Sequence, residues 1–175
     1  MLLTGSRIIR QFVQRHPDAR RALDAWARLI EAHEFRNFAE LRNTFGSADI
    51  VGERIIFDIR GNRYRLIAGL IHATQTCHVQ SILTHAEYDR RRWMKPHAVK
   101  EVALAAWHDP HPVVVPPIFN EADYDIALDL IDGLISRGAA NDLHPENAAL
   151  SRILLAMYAY EKIHHPWPDH GQHLG

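Results

Sequence analysis

Cysteine is nearly absent: Cys77 is the only one in 175 residues. No internal disulfide and no cysteine-based zinc site can close within one chain, and Cys77 itself, in a strand-like run, reads as a small core residue. Long apolar runs are missing as well. None approaches the roughly 18 residues that a bilayer-spanning helix needs, and the start MLLTGSRIIR lacks the apolar segment and small-residue cleavage site of a signal peptide. The expectation is a cytoplasmic protein with no membrane partner. Also lacking are a glycine-rich phosphate loop, a GxSxG turn, an HExxH pair and a convincing acidic pair. Histidine is plentiful at 13, and His108 with His111, His164 with His165, and His170 with His173 have the ligand chemistry for a transition metal. These pairs sit in proline-rich or terminal sequence without a patterned carboxylate, so no metal and no cofactor is assigned.

What is present is a division of charge that the net value of −1 conceals. Residues 1–98 hold 16 basic against 10 acidic side chains, and residues 99–175 hold 4 against 11. A basic half that attracts polyanions is joined to an acidic half suited to cover it. With 47% hydrophobic residues the chain has enough apolar surface for a core.

Periodicity divides the chain further. Ile8, Ile9, Phe12 and Val13 repeat at helical spacing, as do Ala22, Leu23, Trp26, Leu29 and Ile30, with Pro17 separating the two runs. A third helix is expected at FAELRNTF, capped by Asn37 with Glu40 at the capping-box position. From Ala48 the period becomes two. Ile55, Phe57 and Ile59 precede a two-residue Gly61-Asn62 turn, and Tyr64, Leu66, Ala68 and Leu70 follow it. A further strand across TCHVQSIL closes a small antiparallel sheet. Helices are expected on one face, which leaves the other for Arg63, Arg65 and Ile67. Pro96, Pro110, Pro112, Pro116 and Pro117 mark residues 98–118 as a linker with one short helical stretch, VKEVALAAW. Beyond it Asn120 caps a helix whose stripe is Tyr124, Leu128, Ile131 and Ile135; Gly138 ends it, and Pro145 opens a second helix that Pro166 terminates. The pair is too small to be stable without a partner surface. The fold class read from this order is α+β: two to three helices on a small sheet over residues 1–97, then a helical hairpin over residues 119–175.

The stretch THAEYDRRRW, residues 84–93, concentrates reactive side chains. Metal-free cleavage of RNA needs a base for the 2′-hydroxyl, an acid for the leaving 5′-oxygen, and cations for the phosphorane. Histidine is the side-chain type suited to proton transfer near neutral pH, which makes His85 a candidate, and tyrosine at position 88 is a better acid than base. Arg63 and Arg65, two apart in the expected strand, would share one face and clamp a phosphate. Arg90, Arg91, Arg92 and Lys95 would extend a basic rim along the RNA backbone. Each has a plain alternative: a solvated histidine at a strand end, a half-buried packing tyrosine, a soluble arginine surface. No acidic side chain is expected to back His85.

Three segments together carry a family resemblance. NFAELRNTF, SADIVGERIIFDIRGNRYRLI and THAEYDRRRW, in that order, resemble the HigB toxins of bacterial type II toxin–antitoxin modules over residues 5–95. The resemblance implies a RelE-like fold and a ribosome-dependent mRNA endonuclease, with Arg63, Arg65, His85 and Tyr88 at family-type functional positions. FNEADYDIALDLIDGLI and AYEKIHHPWPD are similar to the start of the HigA antitoxin that precedes its helix-turn-helix. No DNA-reading helix follows them, so operator DNA is not an expected partner. The implied partners are mRNA on the ribosome and an antitoxin segment acting in cis, or in trans by exchange between two chains in a homo-oligomer. Two other classes stay open: a non-catalytic RNA- or ribosome-binding module regulated by the acidic hairpin, and a protein–protein adaptor without RNA affinity.

Overall fold

The computed structural model describes residues 1–94 and 118–167. Its order is β1 (Leu2–Thr4), α1 (Ser6–Arg15), a 3-10 turn at Pro17–Ala19, α2 (Arg20–Ala32), α3 (Phe38–Thr44), β2 (Asp49–Val51), β3 (Arg54–Ile59), β4 (Tyr64–Ile71), β5 (Thr76–Thr84), α4 (His85–Asp89) and a second 3-10 turn at Arg92–Met94. Two longer helices follow, α5 (Glu121–Ser136) and α6 (Asn147–His164). The expected linker at residues 98–118, with its helical stretch, lies almost wholly outside the described residues, as do Lys95, His108, His111, His170 and His173.

Sequence chemistry accounts for the boundaries. Pro17 occupies the first position of its 3-10 turn and breaks α1 from α2. Asn37 caps α3 by accepting from the Glu40 N–H at 3.0 Å, and Asn120 caps α5 by accepting from the Asp123 N–H at 3.0 Å. Each helix then carries an acidic residue in its first turn, where the macrodipole favours it.

The five strands form one sheet in the order β1-β5-β4-β3-β2. It is mixed, because β1 runs parallel to β5 while the other neighbours are antiparallel; this corrects the expectation of a purely antiparallel sheet. The β3–β4 connection is also longer than expected. Ile59 pairs with Tyr64, so residues 60–63 form the turn, and Arg60, Gly61 and Asn62 all have positive φ. Arg63 therefore belongs to the turn and not to the strand.

Alternation places Ile55, Phe57, Ile59, Tyr64, Leu66, Ala68 and Leu70 on one face, where they share a core with Ile9, Phe12, Leu23, Trp26, Ile30 and Leu41 of α1, α2 and α3. The opposite face carries Ile56, Ile67 and Ile71, all buried. Ile71 is part of a second core with Tyr124, Ile131, Ile135, Leu150, Ile153 and Met157 of α5 and α6. Gly69 makes the approach close, since a side chain there would stand 2.6 Å from Ile135 Cδ1. The face expected to be open is thus partly covered. Helices α5 and α6 lie side by side, with the rings of Tyr124 and Tyr160 5.7 Å apart at one end and Asn147 bonded to the Ala139 carbonyl at the other.

Between Ile67 and Ala68 the β4–β5 register shifts: Ile67 faces Ser81 and Ala68 faces Val79. Gln80 is the extra residue of a bulge, and its side-chain amide donates to Asp132 on α5.

Candidate active site

At the head of α4 a capping box fixes the local geometry. The Thr84 hydroxyl accepts from the Glu87 N–H at 3.3 Å, and the Glu87 carboxylate accepts from the Thr84 N–H at 2.8 Å. Those bonds from Thr84 hold the Glu87 carboxyl below its usual range. His85 is consequently the first residue of the helix and Asp89 stands one turn on. Their side chains meet at 2.9 Å, Nδ1 to Oδ2, and both are half-exposed or more. A carboxylate only accepts, so Nδ1 carries the proton, which leaves Nε2 of the neutral ring as the acceptor. The expectation that no acid backs His85 is corrected here.

Tyr88, on the same helix, stacks on Trp93 with centroids 5.0 Å apart and planes at 17°, and the Trp93 indole N–H donates to the Tyr88 carbonyl at 3.0 Å. The Arg65 guanidinium lies 5.5 Å from the Tyr88 ring centroid. Burial raises the Tyr88 phenol above its ordinary value, and this outweighs the opposing pull of Arg65. The hydroxyl therefore keeps its proton at neutral pH and can serve as a donor.

The two arginines do not share a face as expected. Arg65 is 13% exposed and bonds Asp58 at 2.7 Å, its cross-strand partner on β3. Arg63 is 62% exposed, sits 3.4 Å from Asp18 and lies over the edge of Tyr64 on the helix-covered side. Asp18 also accepts from Arg60 and from the Tyr64 hydroxyl. The physical reason is the four-residue turn, which removes Arg63 from the strand's alternation. Arg65 and Tyr88 meet where β4 and β5 run into α4, and His85 begins the same helix, because Tyr64 pairs with Thr84 and Arg65 with Leu83.

Arg90, Arg91 and Arg92 are exposed, and Arg91 adopts a left-handed backbone that turns the chain out of α4. Arg90 and Arg92 line a cavity of about 350 Å³ beside Trp93 and Glu87. Its floor is Ile67, Gln80, Ser81 and Leu83 of the sheet, and Arg54 and Asp132 complete the wall. Arg54 and Gln80 were not singled out from sequence. Strand alternation sets Arg54 on the same face as Ile56 and Asp58, a signal that was available; nothing in the pattern announces the bulge at Gln80. Of the histidine pairs, His164 stacks on Tyr160 and His165 bonds Glu121 at 2.8 Å, so the two rings serve different partners.

Residues 19–91 match the HigB toxin family, the RelE-like toxic component of a toxin-antitoxin system. The chain is similar to that family over these residues. Over 92 residues it is 25% identical to the mRNA interferase toxin HigB of Escherichia coli strain K12, a match that covers 51% of this chain and 88% of the relative. The mRNA interferase HigB of Escherichia coli O157:H7 and that of Shigella flexneri match with the same identity and coverage. The HigB-family match includes β2 to β5, α4, Arg63, Arg65, His85 and Tyr88, and ends at Arg91; α5 and α6 lie beyond it. Among the described residues no helix is long and apolar enough to cross a membrane.

Proposed function

We propose that residues 1–97 form a ribosome-dependent, metal-independent mRNA endoribonuclease, and that residues 119–175 are a HigA-like antitoxin segment that silences it in the cytoplasm, with residues 98–118 as the linker. The observation that carries the reading is the half-exposed His85–Asp89 pair beside Tyr88 and Arg65, within a stretch matching the HigB family. In the proposed reaction His85 Nε2 takes the 2′-hydroxyl proton as the 2′-oxygen attacks phosphorus. The P–O5′ bond breaks, Tyr88 protonates the departing oxygen, and a 2′,3′-cyclic phosphate and a 5′-hydroxyl result. Asp89 steadies the imidazolium that forms, as a carboxylate at Nδ1 does in other acid–base sites. Arg65 offsets charge on both the phosphorane and the Tyr88 oxygen, Arg63 reaches the phosphate from the exposed turn, and Arg90, Arg91, Arg92 and Lys95 hold flanking phosphates.

The decisive experiment compares residues 1–97, shown to be folded by a cooperative melt, with the full chain in a translating extract, mapping mRNA ends by primer extension. Cut ends from the fragment alone, abolished by His85→Ala, are expected. A folded fragment that leaves mRNA intact would refute the nuclease reading. One observation favours the alternative of a non-catalytic RNA- or ribosome-binding module: Arg65 is already paired with Asp58 and largely buried. Ribosome binding by the fragment without any cut ends is its marker.

A further inference from the structure

Helix α1 lacks a cap of its own. Gly5 stands at the cap position with no side chain to offer, yet its N–H and that of Ser6 are buried at the helix head. Both donate to one carboxylate, Glu161 of α6: the Gly5 N–H lies 2.9 and 3.1 Å from its two oxygens, and the Ser6 N–H lies 3.0 Å away. Glu161 is 3% exposed and no arginine, lysine or histidine pairs with it among the described residues. The hydroxyl of Tyr124 also donates to it, which brings α5 into the same contact. Arg7, one residue into α1, lies 4.3 Å from the Tyr124 ring centroid and bonds Glu121 at 2.6 Å and also Asp125.

A buried carboxylate without a cation is costly unless donors and a helix dipole compensate it, and the head of α1 supplies both. That requirement is geometric, so it selects a partner in a way that summed charge does not. Meanwhile Asp129 of α5 is exposed to solvent, and so are Arg90, Arg91 and Arg92 of the basic half. The charge asymmetry of the two halves is therefore only partly spent on their contact.

We infer that the head of α1, formed by the Gly5 and Ser6 amides with the Arg7 guanidinium, is a docking receptor for an acidic helical partner, and that Glu161 rather than overall charge attraction keeps α5 and α6 on the domain. In this chain the partner is its own C-terminal helix pair. The role of that docking in silencing rests on the function proposed above; the docking itself does not.

Amide hydrogen exchange on the full chain tests it. Glu161→Ala should speed exchange of the Gly5 and Ser6 amides and of α5 by at least ten-fold, while amides of β3 and β4 stay protected. Glu161→Gln, which keeps one acceptor oxygen, should show a smaller increase in the same places and decides the matter if the alanine variant does not fold. Asp129→Asn, which removes the same charge elsewhere on the pair, should change nothing. Unchanged exchange in both Glu161 variants, or an equal increase in Asp129→Asn, would overturn the inference. Mapping mRNA ends with the same variants separates the two claims: faster exchange without cut ends sinks the nuclease and keeps the docking receptor, and His85-dependent cutting with unchanged exchange does the reverse.

Discussion

Replacing Gly5 by alanine probes the junction of β1, α1 and β5 in one step. Gly5 has φ +83°, and a Cβ there would lie 2.3 Å from the Val79 carbonyl oxygen and 3.0 Å from Val79 Cβ. The left-handed backbone costs an alanine about 1–2 kcal/mol. The steric term adds to this, because Val79 is held in the β4–β5 ladder opposite Ala68 and its carbonyl has no free direction of retreat; forced overpacking of this sort costs about 1–3 kcal/mol. The sum, roughly 2–5 kcal/mol, corresponds to a fall in melting temperature on the order of 10 °C for a chain of this size. Gly52→Ala is the matched control. Its φ is +61° with open space around it, so only the backbone term of about 1–2 kcal/mol applies. Thermal melts and urea titrations of both variants give the comparison. Equal losses in the two would show that Val79 does not crowd Gly5 and would refute the reasoning.

Thr84→Ala removes the hydroxyl half of the capping box and leaves the backbone N–H bond to Glu87; it should cost about 1 kcal/mol in urea titration, with mRNA cleavage by residues 1–97 falling as His85 loses its fixed position, and cleavage unchanged despite the stability loss would detach the cap from the site. Tyr88→Phe keeps the stack on Trp93 and the contact with Arg65, so the melting temperature should hold while cleavage drops at least ten-fold, as expected of a lost general acid; full activity would remove Tyr88 from the chemistry. The pH profile of stability should be nearly flat between about pH 4.5 and 6.5. His78, buried against Thr4, is pushed down to about 3, so the unfolded chain binds its proton first and stability rises with pH up to the ordinary histidine value near 6.5. Glu161, pushed up to about 7 by burial, acts in the opposite sense: the folded chain holds its proton longer, and stability falls as pH rises from about 4.5 to 7. Urea midpoints of Glu161→Gln should therefore climb with pH across that window, and a flat profile in that variant would show that the two groups do not oppose one another.

Much of the fold is legible in side-chain period. The stripes Ile9-Phe12-Val13 and Tyr124-Leu128-Ile131-Ile135 and the alternation Phe57-Ile59 and Leu66-Ala68-Leu70 mark elements that bury one face, and burial of one face is what periodicity encodes. Elements defined by distant partners are not legible. β1 has three residues and exists because Leu3 pairs with Cys77, seventy-four positions along. The bulge at Gln80 has no local signature, and the β3–β4 turn took Arg60 and Arg63 where Gly61-Asn62 alone suggested a tighter reversal. That difference separated Arg63 from Arg65. In the stretch THAEYDRRRW, Thr84 and Glu87 make a helix start, and that start is what brings His85 within reach of Asp89. A helical spacing of four between histidine and aspartate was readable in advance.

The Glu161 bond to the Gly5 and Ser6 amides ties α6 to α1. Glu161 is translated seventy residues after Arg91, where the HigB-family match ends, a delay of roughly 4–14 s at ordinary elongation speeds. Each nascent chain thus completes its HigB-like portion while still threaded through a ribosome, and the opening of α1 is closed by a segment that emerges well after it.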